Sequence, residues 1–260
     1  MQAAGGARYG ADPEGVVVAG GAQTIIQWLP RLFPASAVAI PGLTYSGHES
    51  AWRAAGAEIL PAPERGGAVV VVNPNNPDGR RLAPAALREL ARDASLLVVD
   101  EAFADFDAES LCADPPPRTI VLRSFGKAYG LAGVRLGFGV AEPEMARALR
   151  EALGAWPVSG PALEIGRRAL ADTEWLEAAR ARLEADARWL DRLLVAAGFE
   201  IVGGTLLFRL ARRADARAAF AKLCAQGVLT RPFRAEPEWL RLGLPRPEDR
   251  ARVAAALGSL

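Results

Sequence analysis

The stretch TIVLRSFGKAYGLAGVRLGFGV, residues 119–140, carries the most informative pattern in this sequence. An apolar run ends at Ser124, Lys127 follows three residues later among glycines, and Arg135 lies eight residues beyond the lysine. Glycines allow the backbone to approach a ligand closely, and an arginine can bind a phosphate through two parallel hydrogen bonds. The pattern therefore predicts a lysine beside an anion site.

From this motif alone, Lys127 is either an imine-forming amine or a solvated surface lysine. Phe125 and Tyr129 flank the lysine. Together with the positive charge of Arg135 they favour an amine of lowered pKa, which imine formation requires. A lone lysine in a loop is more commonly just solvated. A P-loop is excluded, because a valine stands where its first glycine belongs and an alanine follows the lysine.

Short apolar runs alternate with helix-like segments through the first half of the sequence. The runs are rich in Val, Ile and Leu without polar alternation, which is typical of strands covered on both faces. Plausible helices lie between them at 23–32, 46–55 and 84–94. This order predicts an α/β domain with a mainly parallel sheet flanked by helices and a ligand site at the carboxyl ends of the strands. The apolar runs are 16–19, 37–40, 68–72, 96–100, 119–124 and 135–140.

From about residue 142 the sequence becomes rich in Ala and Arg and largely helical. Two short strands are predicted on either side of a Gly203–Gly204 turn. We expect a large cofactor-binding domain over residues 1–153 and a smaller α+β domain over residues 154–260. The predicted helices of this half span 142–153, 161–171, 174–197, 215–226 and the residues from 247 onward.

Composition and charge argue against several classes of protein. Thirty-one Lys and Arg balance thirty Asp and Glu, so nothing favours nucleic-acid binding. Cys112, Cys224 and the single histidine are too few for a disulfide framework or a zinc site. No apolar run has the length of a membrane span, and the first residues lack a signal-peptide pattern. We therefore expect a cytoplasmic protein without nucleic-acid, membrane or metal partners.

Four further motifs follow predicted strands. AGGAQTII (19–26) opens a helix whose N–H groups and dipole favour an anion. It lacks the third glycine and the later carboxylate of a dinucleotide site, so a single phosphate fits better. PGLTY (41–45), NPNNPDG (73–79) and VVDEAF (98–103) supply an aromatic, an asparagine and a carboxylate. Each motif by itself is also consistent with a turn, a helix cap or a core residue.

In this order along the chain, the motifs together resemble those of the fold type I pyridoxal-phosphate enzymes, the class I and II aminotransferases. Within them the sequence is most similar to the histidinol-phosphate aminotransferase group, and above all to its threonine-phosphate decarboxylase relatives of cobalamin biosynthesis. The resemblance runs from about Tyr9 to the C-terminus. It implies pyridoxal 5'-phosphate as the cofactor and a homodimer as the assembly.

The resemblance also implies a role for each matching residue at the cofactor. Lys127 would hold the cofactor as an imine and move protons, and Asp100 would pair with the pyridine nitrogen. Tyr45 would stack on the ring, and Asn76 would donate to its phenolic oxygen. The implied phosphate contacts are Ala22, Gln23, Ser124 and Arg135.

Two arginines are the candidates for substrate binding in the resemblance, together with Asn76. Arg241, in WLRLGLP, matches the arginine that binds the substrate α-carboxylate. Arg231, in VLTRPF, is the candidate for a substrate phosphate, and a plain surface arginine is equally consistent there. The implied reaction is decarboxylation of L-threonine O-3-phosphate to (R)-1-aminopropan-2-yl phosphate. The alternatives are an aminotransferase, such as one acting on histidinol phosphate, and a non-catalytic cofactor-binding relative.

The sequence departs from the family pattern in three places. Phe103 stands where the family usually has a tyrosine that reaches the cofactor oxygen, and threonine-phosphate decarboxylases often have Phe there. Gly126 precedes the lysine where many aminotransferases carry Ser or Thr, which predicts one phosphate contact fewer. The family's N-terminal arm, which covers the active-site mouth, is expected to be missing. His48 is predicted to lie on the exposed start of a helix rather than at the substrate.

Overall fold

The computed structural model describes residues 1–107 and 109–260. The chain divides into two compact units. The first unit extends to Leu176, past the predicted domain boundary at residue 153, because helix α7 (Gly160–Ala171) packs against helix α1 (Gln2–Tyr9). The two-domain assignment itself stays a prediction. The units are Met1–Asn76 with Arg81–Leu176, and Pro77–Arg80 with Glu177–Leu260.

The first unit contains a seven-stranded sheet in the order β1-β7-β6-β5-β4-β2-β3. Neighbouring strands from β2 to β6 are parallel, whereas β7 is antiparallel to both β6 and β1. The mainly parallel sheet predicted from the apolar runs is confirmed. The strands are β1 (Val16–Ala19), β2 (Ala37–Ala39), β3 (Glu58–Leu60), β4 (Ala68–Val72), β5 (Leu96–Asp100), β6 (Thr119–Ser124) and β7 (Gly137–Val140).

Helices cover this sheet because each presents an apolar stripe. In the second helix Ile25, Ile26 and Leu29 are buried at helical spacing against the strand side chains. Every residue of β4 and β5 is buried, which explains why these strands lack polar alternation. The remaining helices of the unit are α2 (Ala22–Leu32), α3 (Ser46–Ala54), α4 (Pro84–Asp93), α5 (Phe125–Ala128) and α6 (Pro143–Leu153).

The second unit has a four-stranded antiparallel sheet in the order β10-β11-β9-β8, with helices packed on it. Leu190, Leu223 and Leu240 belong to its apolar core. The smaller α+β arrangement predicted for this half is therefore present. Its elements are α8 (Thr173–Ala196), β8 (Glu200–Thr205), β9 (Phe208–Arg212), α9 (Ala216–Ala225), β10 (Arg231–Pro232), β11 (Trp239–Gly243) and α10 (Arg250–Gly258).

The predicted Gly203–Gly204 turn is wrong. Both glycines lie inside β8, next to a bulge, and the hairpin turns at residues 206–207. A Cβ at Gly203 would lie 2.1 Å from the backbone oxygen of Asp78, so the glycine allows the two backbone segments to lie close together. None of the described helices combines the length and apolar character needed to cross a membrane.

Candidate active site

An open cavity lies in the first unit, where β1, β4, β5 and β6 end. The carboxyl ends of parallel strands are the expected place for a small-molecule site. The structure brings eight of the predicted site residues together around this cavity. They are Ala22, Gln23, Tyr45, Asn76, Asp100, Ser124, Lys127 and Arg135.

The N-terminus of α2 forms one wall of the cavity. Gly21 precedes it with φ 92°, and a Cβ there would lie 2.5 Å from Nη2 of Arg135. A Cβ at Gly137 would lie 2.2 Å from the backbone nitrogen of Ala22. These two glycines therefore let a guanidinium and a neighbouring strand pack directly against the start of the helix. The first N–H groups of a helix have no partners within it, so this cradle suits a phosphate.

Asp100 is a buried carboxylate at the end of β5, only 3% exposed. Its Oδ2 lies 2.8 Å from Nε2 of His48, and its Oδ1 accepts a hydrogen bond from the backbone N–H of Ala102 at 3.0 Å. Because a carboxylate accepts hydrogen bonds, His48 donates through Nε2. Asp100 is thus held in one orientation at the floor of the cavity.

The prediction that His48 lies on an exposed helix start is wrong. Its side chain is fully buried, because His48, Ala51 and Trp52 form the buried stripe of α3. The spacing H-x-x-A-W was the available signal for that stripe. Sequence analysis therefore missed a residue that contacts the buried carboxylate of the site.

Lys127 lies in the one-turn helix α5, directly after β6, and lines the cavity. Its Nζ is 5.5 Å from the ring centroid of Phe103, in the loop after β5. Phe125 and Tyr129, which flank the lysine in sequence, stack on each other in the core with centroids 4.6 Å apart. The aromatic neighbour of the amine is therefore Phe103, and the lowered amine pKa stays a prediction.

The departure at Gly126 has a packing reason. A Cβ at this position would lie 2.8 Å from Cα of Ala132 and 3.4 Å from the backbone oxygen of Leu131. A serine or threonine would therefore push away the loop that leads to Arg135. The glycine keeps this loop close to the lysine helix.

Two neighbouring asparagines after β4 have different tasks. Asn76 lines the cavity, as expected. Asn75 is buried, donates through Nδ2 to the backbone oxygen of Leu43 at 3.0 Å, and accepts a hydrogen bond from the Thr44 hydroxyl at 2.6 Å. Asn75 therefore fixes the loop that ends at Tyr45, a role that the turn-like motif did not indicate.

A buried ionic cluster lies beneath the site and consists of Arg123, Glu101 and Asp105. Arg123 donates to both carboxylates at 2.8 Å, and its guanidinium lies 4.7 Å from the ring centroid of Tyr9. Burial acts against its charge, but Asp105 and the other acidic neighbours raise the pKa of Arg123 well above its ordinary value. Ser124 faces the cavity, so strand alternation points Arg123 to the opposite face of the sheet.

The two arginines predicted to bind substrate lie together in the second unit. Arg231 on β10 is the register partner of Arg241 on β11. The Arg241 guanidinium lies 5.2 Å from the ring centroid of Phe208. Burial lowers the pKa of Arg241, and the positive charge of Arg231 lowers it further. Neighbouring guanidiniums suit an anionic ligand, and the roles of both arginines toward substrate stay predictions.

Comparison with known proteins identifies the family of this arrangement. Residues 4–257 match the family model of class I and II aminotransferases. The chain belongs to this family. Threonine-phosphate decarboxylase of Pseudomonas aeruginosa is 41% identical over 99% of the chain and 81% of its own length. Threonine-phosphate decarboxylase of a Sinorhizobium species is 43% identical over 92% of the chain and 76% of its own length.

The fold of the class I and II aminotransferases is confirmed by solved structures. The histidinol-phosphate aminotransferase of Sinorhizobium meliloti, solved in complex with pyridoxal-5'-phosphate, superposes with a TM-score of 0.88 at 21% identity. The alignment covers 99% of this chain and 79% of that one. Family membership implies a pyridoxal-phosphate-dependent enzyme.

The cavity fits pyridoxal phosphate on its own geometry. The cradle of Gly21 and Arg135 has the shape and charge for its phosphate, and Lys127 offers an amine for its aldehyde. Asp100 offers a buried carboxylate, which a protonated ring nitrogen requires. In the described part of the chain, no group of three His, Cys, Asp or Glu side chains is arranged to hold a metal ion.

Proposed function

We propose that this aminotransferase-family chain decarboxylates L-threonine O-3-phosphate with the help of pyridoxal phosphate. The products would be CO₂ and (R)-1-aminopropan-2-yl phosphate, the aminopropanol unit of the corrinoid side chain in cobalamin biosynthesis. The observation that carries the choice of reaction is the 41% and 43% identity to relatives named threonine-phosphate decarboxylase. The cavity supports it by collecting a lysine, a buried carboxylate and an anion cradle.

Lys127 would hold the cofactor and later move a proton. When bound, pyridoxal phosphate supplies an electron sink for the bond pair left on Cα as the substrate carboxylate departs as CO₂. The Nζ of Lys127 would hold the cofactor covalently through its aldehyde until the substrate amine replaces it. The freed amine would then carry the proton that Cα receives. The ring of Phe103 beside Nζ keeps an apolar surface next to this amine.

Asp100 would hold a proton on the ring nitrogen. Its Oδ2 is fixed by His48 and its Oδ1 by the backbone of Ala102, so the carboxylate needs no reorientation to do so. Such fixed charges stabilise developing charge without a reorganisation cost. Asn76 lines the cavity and stays the candidate donor to the phenolic oxygen. Arg241 and Arg231 stay the candidates for the substrate carboxylate and phosphate.

Product analysis tests the reaction. Purified protein saturated with pyridoxal phosphate is given L-threonine O-3-phosphate alone, and CO₂ and aminopropyl phosphate are measured. We expect equal amounts of both products without any 2-oxo acid, and no products from a Lys127→Ala variant. Glutamate formed from 2-oxoglutarate without CO₂ would identify an aminotransferase instead. A holoprotein that turns over neither donor would identify a cofactor-binding relative.

The homodimer implied by the family is also part of the proposal. Light scattering of the holoprotein after size exclusion would give twice the 27.5 kDa chain mass. A monomeric mass in an active preparation would contradict the dimer and leave the reaction untouched.

A further inference from the structure

The side chain of Tyr45 is fixed by a hydrogen bond to Gln23, which also lines the cavity. Its hydroxyl donates to Oε1 of Gln23 at 2.8 Å. Gln23 is the second residue of α2, the helix whose N-terminus forms the anion cradle, whereas Tyr45 precedes α3. The bond therefore joins the cradle wall to the aromatic wall of the cavity.

A glycine makes room for this bond. A Cβ at Gly47 would lie 2.4 Å from Cε1 and 2.7 Å from Cζ of Tyr45, and 2.9 Å from Oε1 of Gln23. These distances are far below ordinary van der Waals contact. Any side chain at position 47 would therefore displace the ring, the amide or both.

The backbone of Tyr45 is fixed independently of its hydroxyl. Buried Asn75 holds the two preceding residues, Leu43 and Thr44. Tyr45 is 37% exposed, and its ring meets His48 edge-on, with centroids 6.0 Å apart. A ring so exposed can rotate toward solvent on its side-chain bonds, so the bond to Gln23 is the contact that holds its outer end.

We propose that Gln23 is a positioning residue that holds the ring of Tyr45 in place over the cofactor, with Gly47 as the spacer that permits it. The inference rests on the proposed function, because it assigns Tyr45 the face of bound pyridoxal phosphate. It adds to the role that the resemblance implies for Gln23, a contact to the phosphate. The side-chain carbonyl of Gln23 accepts from Tyr45, so the side chain acts through the tyrosine.

A double-mutant cycle separates the two roles of Gln23. The variants are Gln23→Leu, Tyr45→Phe and the double variant, and the readouts are the Kd for pyridoxal phosphate and the absorption band of the bound cofactor. One lost hydrogen bond lowers affinity about two- to tenfold. We expect each single variant to show this loss and the double variant to bind no worse than either, because all three lack the same bond.

A pair of glycine variants tests the spacer. Gly47→Ala should weaken cofactor binding at least as much as Tyr45→Phe, because the methyl group displaces the ring. Gly160→Ala is the matched control: this glycine also lies in the first turn of a helix of the first unit, and a Cβ there meets no atom within 4 Å. We expect the control to bind the cofactor like the unaltered protein, and all variants to keep the same melting temperature without cofactor within about 2 °C.

The outcomes distinguish the two levels of the proposal. If the fold-losses in cofactor affinity of the two single variants multiply in the double variant, Gln23 and Tyr45 act separately. That result would overturn the inference and leave the proposed function standing. Unchanged affinity in Gln23→Leu or in Gly47→Ala would overturn it too. If the unaltered protein binds no pyridoxal phosphate at Lys127, the proposed function fails and the inference fails with it.

Discussion

Burial of a carboxylate is costly unless its oxygens have hydrogen-bond partners, and at Asp100 the partners are His48 and the backbone of Ala102. His48 is the single histidine of the sequence. It does not line the cavity, and its hydrogen bond at the site is the one to Asp100. Its removal should therefore affect turnover more than substrate binding.

Replacing His48 with Leu keeps the side-chain bulk and removes the N–H donor. We expect kcat for decarboxylation to fall about 10- to 100-fold, the loss expected for a hydrogen bond to a buried charge, with KM changed little. Steady-state kinetics measure both. Glu49→Gln is the control, since the Glu49 side chain, next to His48 in sequence, is 47% exposed, and the change should leave kcat unchanged. Full turnover in the His48→Leu protein would contradict the positioning role.

Gly126 allows a test of the packing beside Lys127. Gly126→Ser places a Cβ 2.8 Å from Cα of Ala132, and overpacking of this kind costs about 1–3 kcal/mol. Urea unfolding measures the loss of free energy of unfolding. Gly133→Ser is the control, because a Cβ there meets no atom within 4 Å. Equal stability of the two variants would mean that the loop yields without cost.

Sequence reasoning found the residues that directly follow predicted strands, and it missed those that support them. Asp100 and Lys127 were accessible because strand ends of a parallel sheet converge on one edge. His48 and Asn75 were not, since their partners lie 52 and 32 residues away in the chain and only the fold brings them together. A sequence motif shows what a residue is but not what it contacts.

Among the elements, β6 contributes side chains to both faces of the sheet. Ser124 faces the cavity, and Arg123 on the opposite face binds Glu101 and Asp105. Both acids lie on the loop after β5 that also carries Phe103. The ionic cluster therefore holds that loop against β6.

Replacing Arg123 with Met should destabilise the protein severely. It removes the cation that pairs with buried Glu101 and leaves buried Asp105 with Arg8 at 4.0 Å. Breaking a buried pair costs about 3–5 kcal/mol. Urea unfolding measures the change. The control is Arg88→Met, whose partner Asp114 is exposed, because an exposed pair contributes about 0–1 kcal/mol. A loss of under about 1 kcal/mol in Arg123→Met would contradict the role of the cluster.

Buried acidic groups near the ionic cluster should make the protein less stable at alkaline pH. Burial raises the pKa of Cys112 from 9.0 to about 12, and burial also raises the pKa of Tyr9 and of Tyr129. These groups ionise earlier in the unfolded chain than in the folded one, so their contribution is complete below pH 9.0 and is lost as the pH rises toward 12.

Urea unfolding at about pH 8 and about pH 10 measures this slope. We expect a lower free energy of unfolding at the higher pH, and a smaller decrease in a Cys112→Ala variant. Equal stability at both pH values would show that these groups ionise as easily in the folded protein.

Two elements show where pattern reasoning stopped. The strand β7 was predicted, but not its antiparallel direction, which follows from the short connection over residues 125–136 without a full crossover helix. The short strand β3 at the sheet edge was not predicted, because three partly exposed residues carry too little pattern. The direction of a strand and its place at a sheet edge depend on how the chain connects the strands. Hydrophobic periodicity carries no information on those connections.

For the whole molecule, alternation of buried strands and amphipathic helices was enough to predict the α/β fold. The family match over residues 4–257 and the TM-score of 0.88 agree with that prediction. The limits of the compact units were harder to predict from the sequence, because α7 is helical like the segments after it. Its packing on α1 assigns it to the first unit.

The central claim is that Lys127 binds pyridoxal phosphate covalently, and the composition makes it directly testable. The sequence has two lysines, Lys127 and the exposed Lys222. The protein is mixed with the cofactor, reduced with borohydride and digested, and the peptides are identified by mass. We predict one pyridoxyl group on the peptide that contains Lys127 and none on the peptide that contains Lys222. An unmodified Lys127 peptide, or equal labelling of both lysines, would contradict the account.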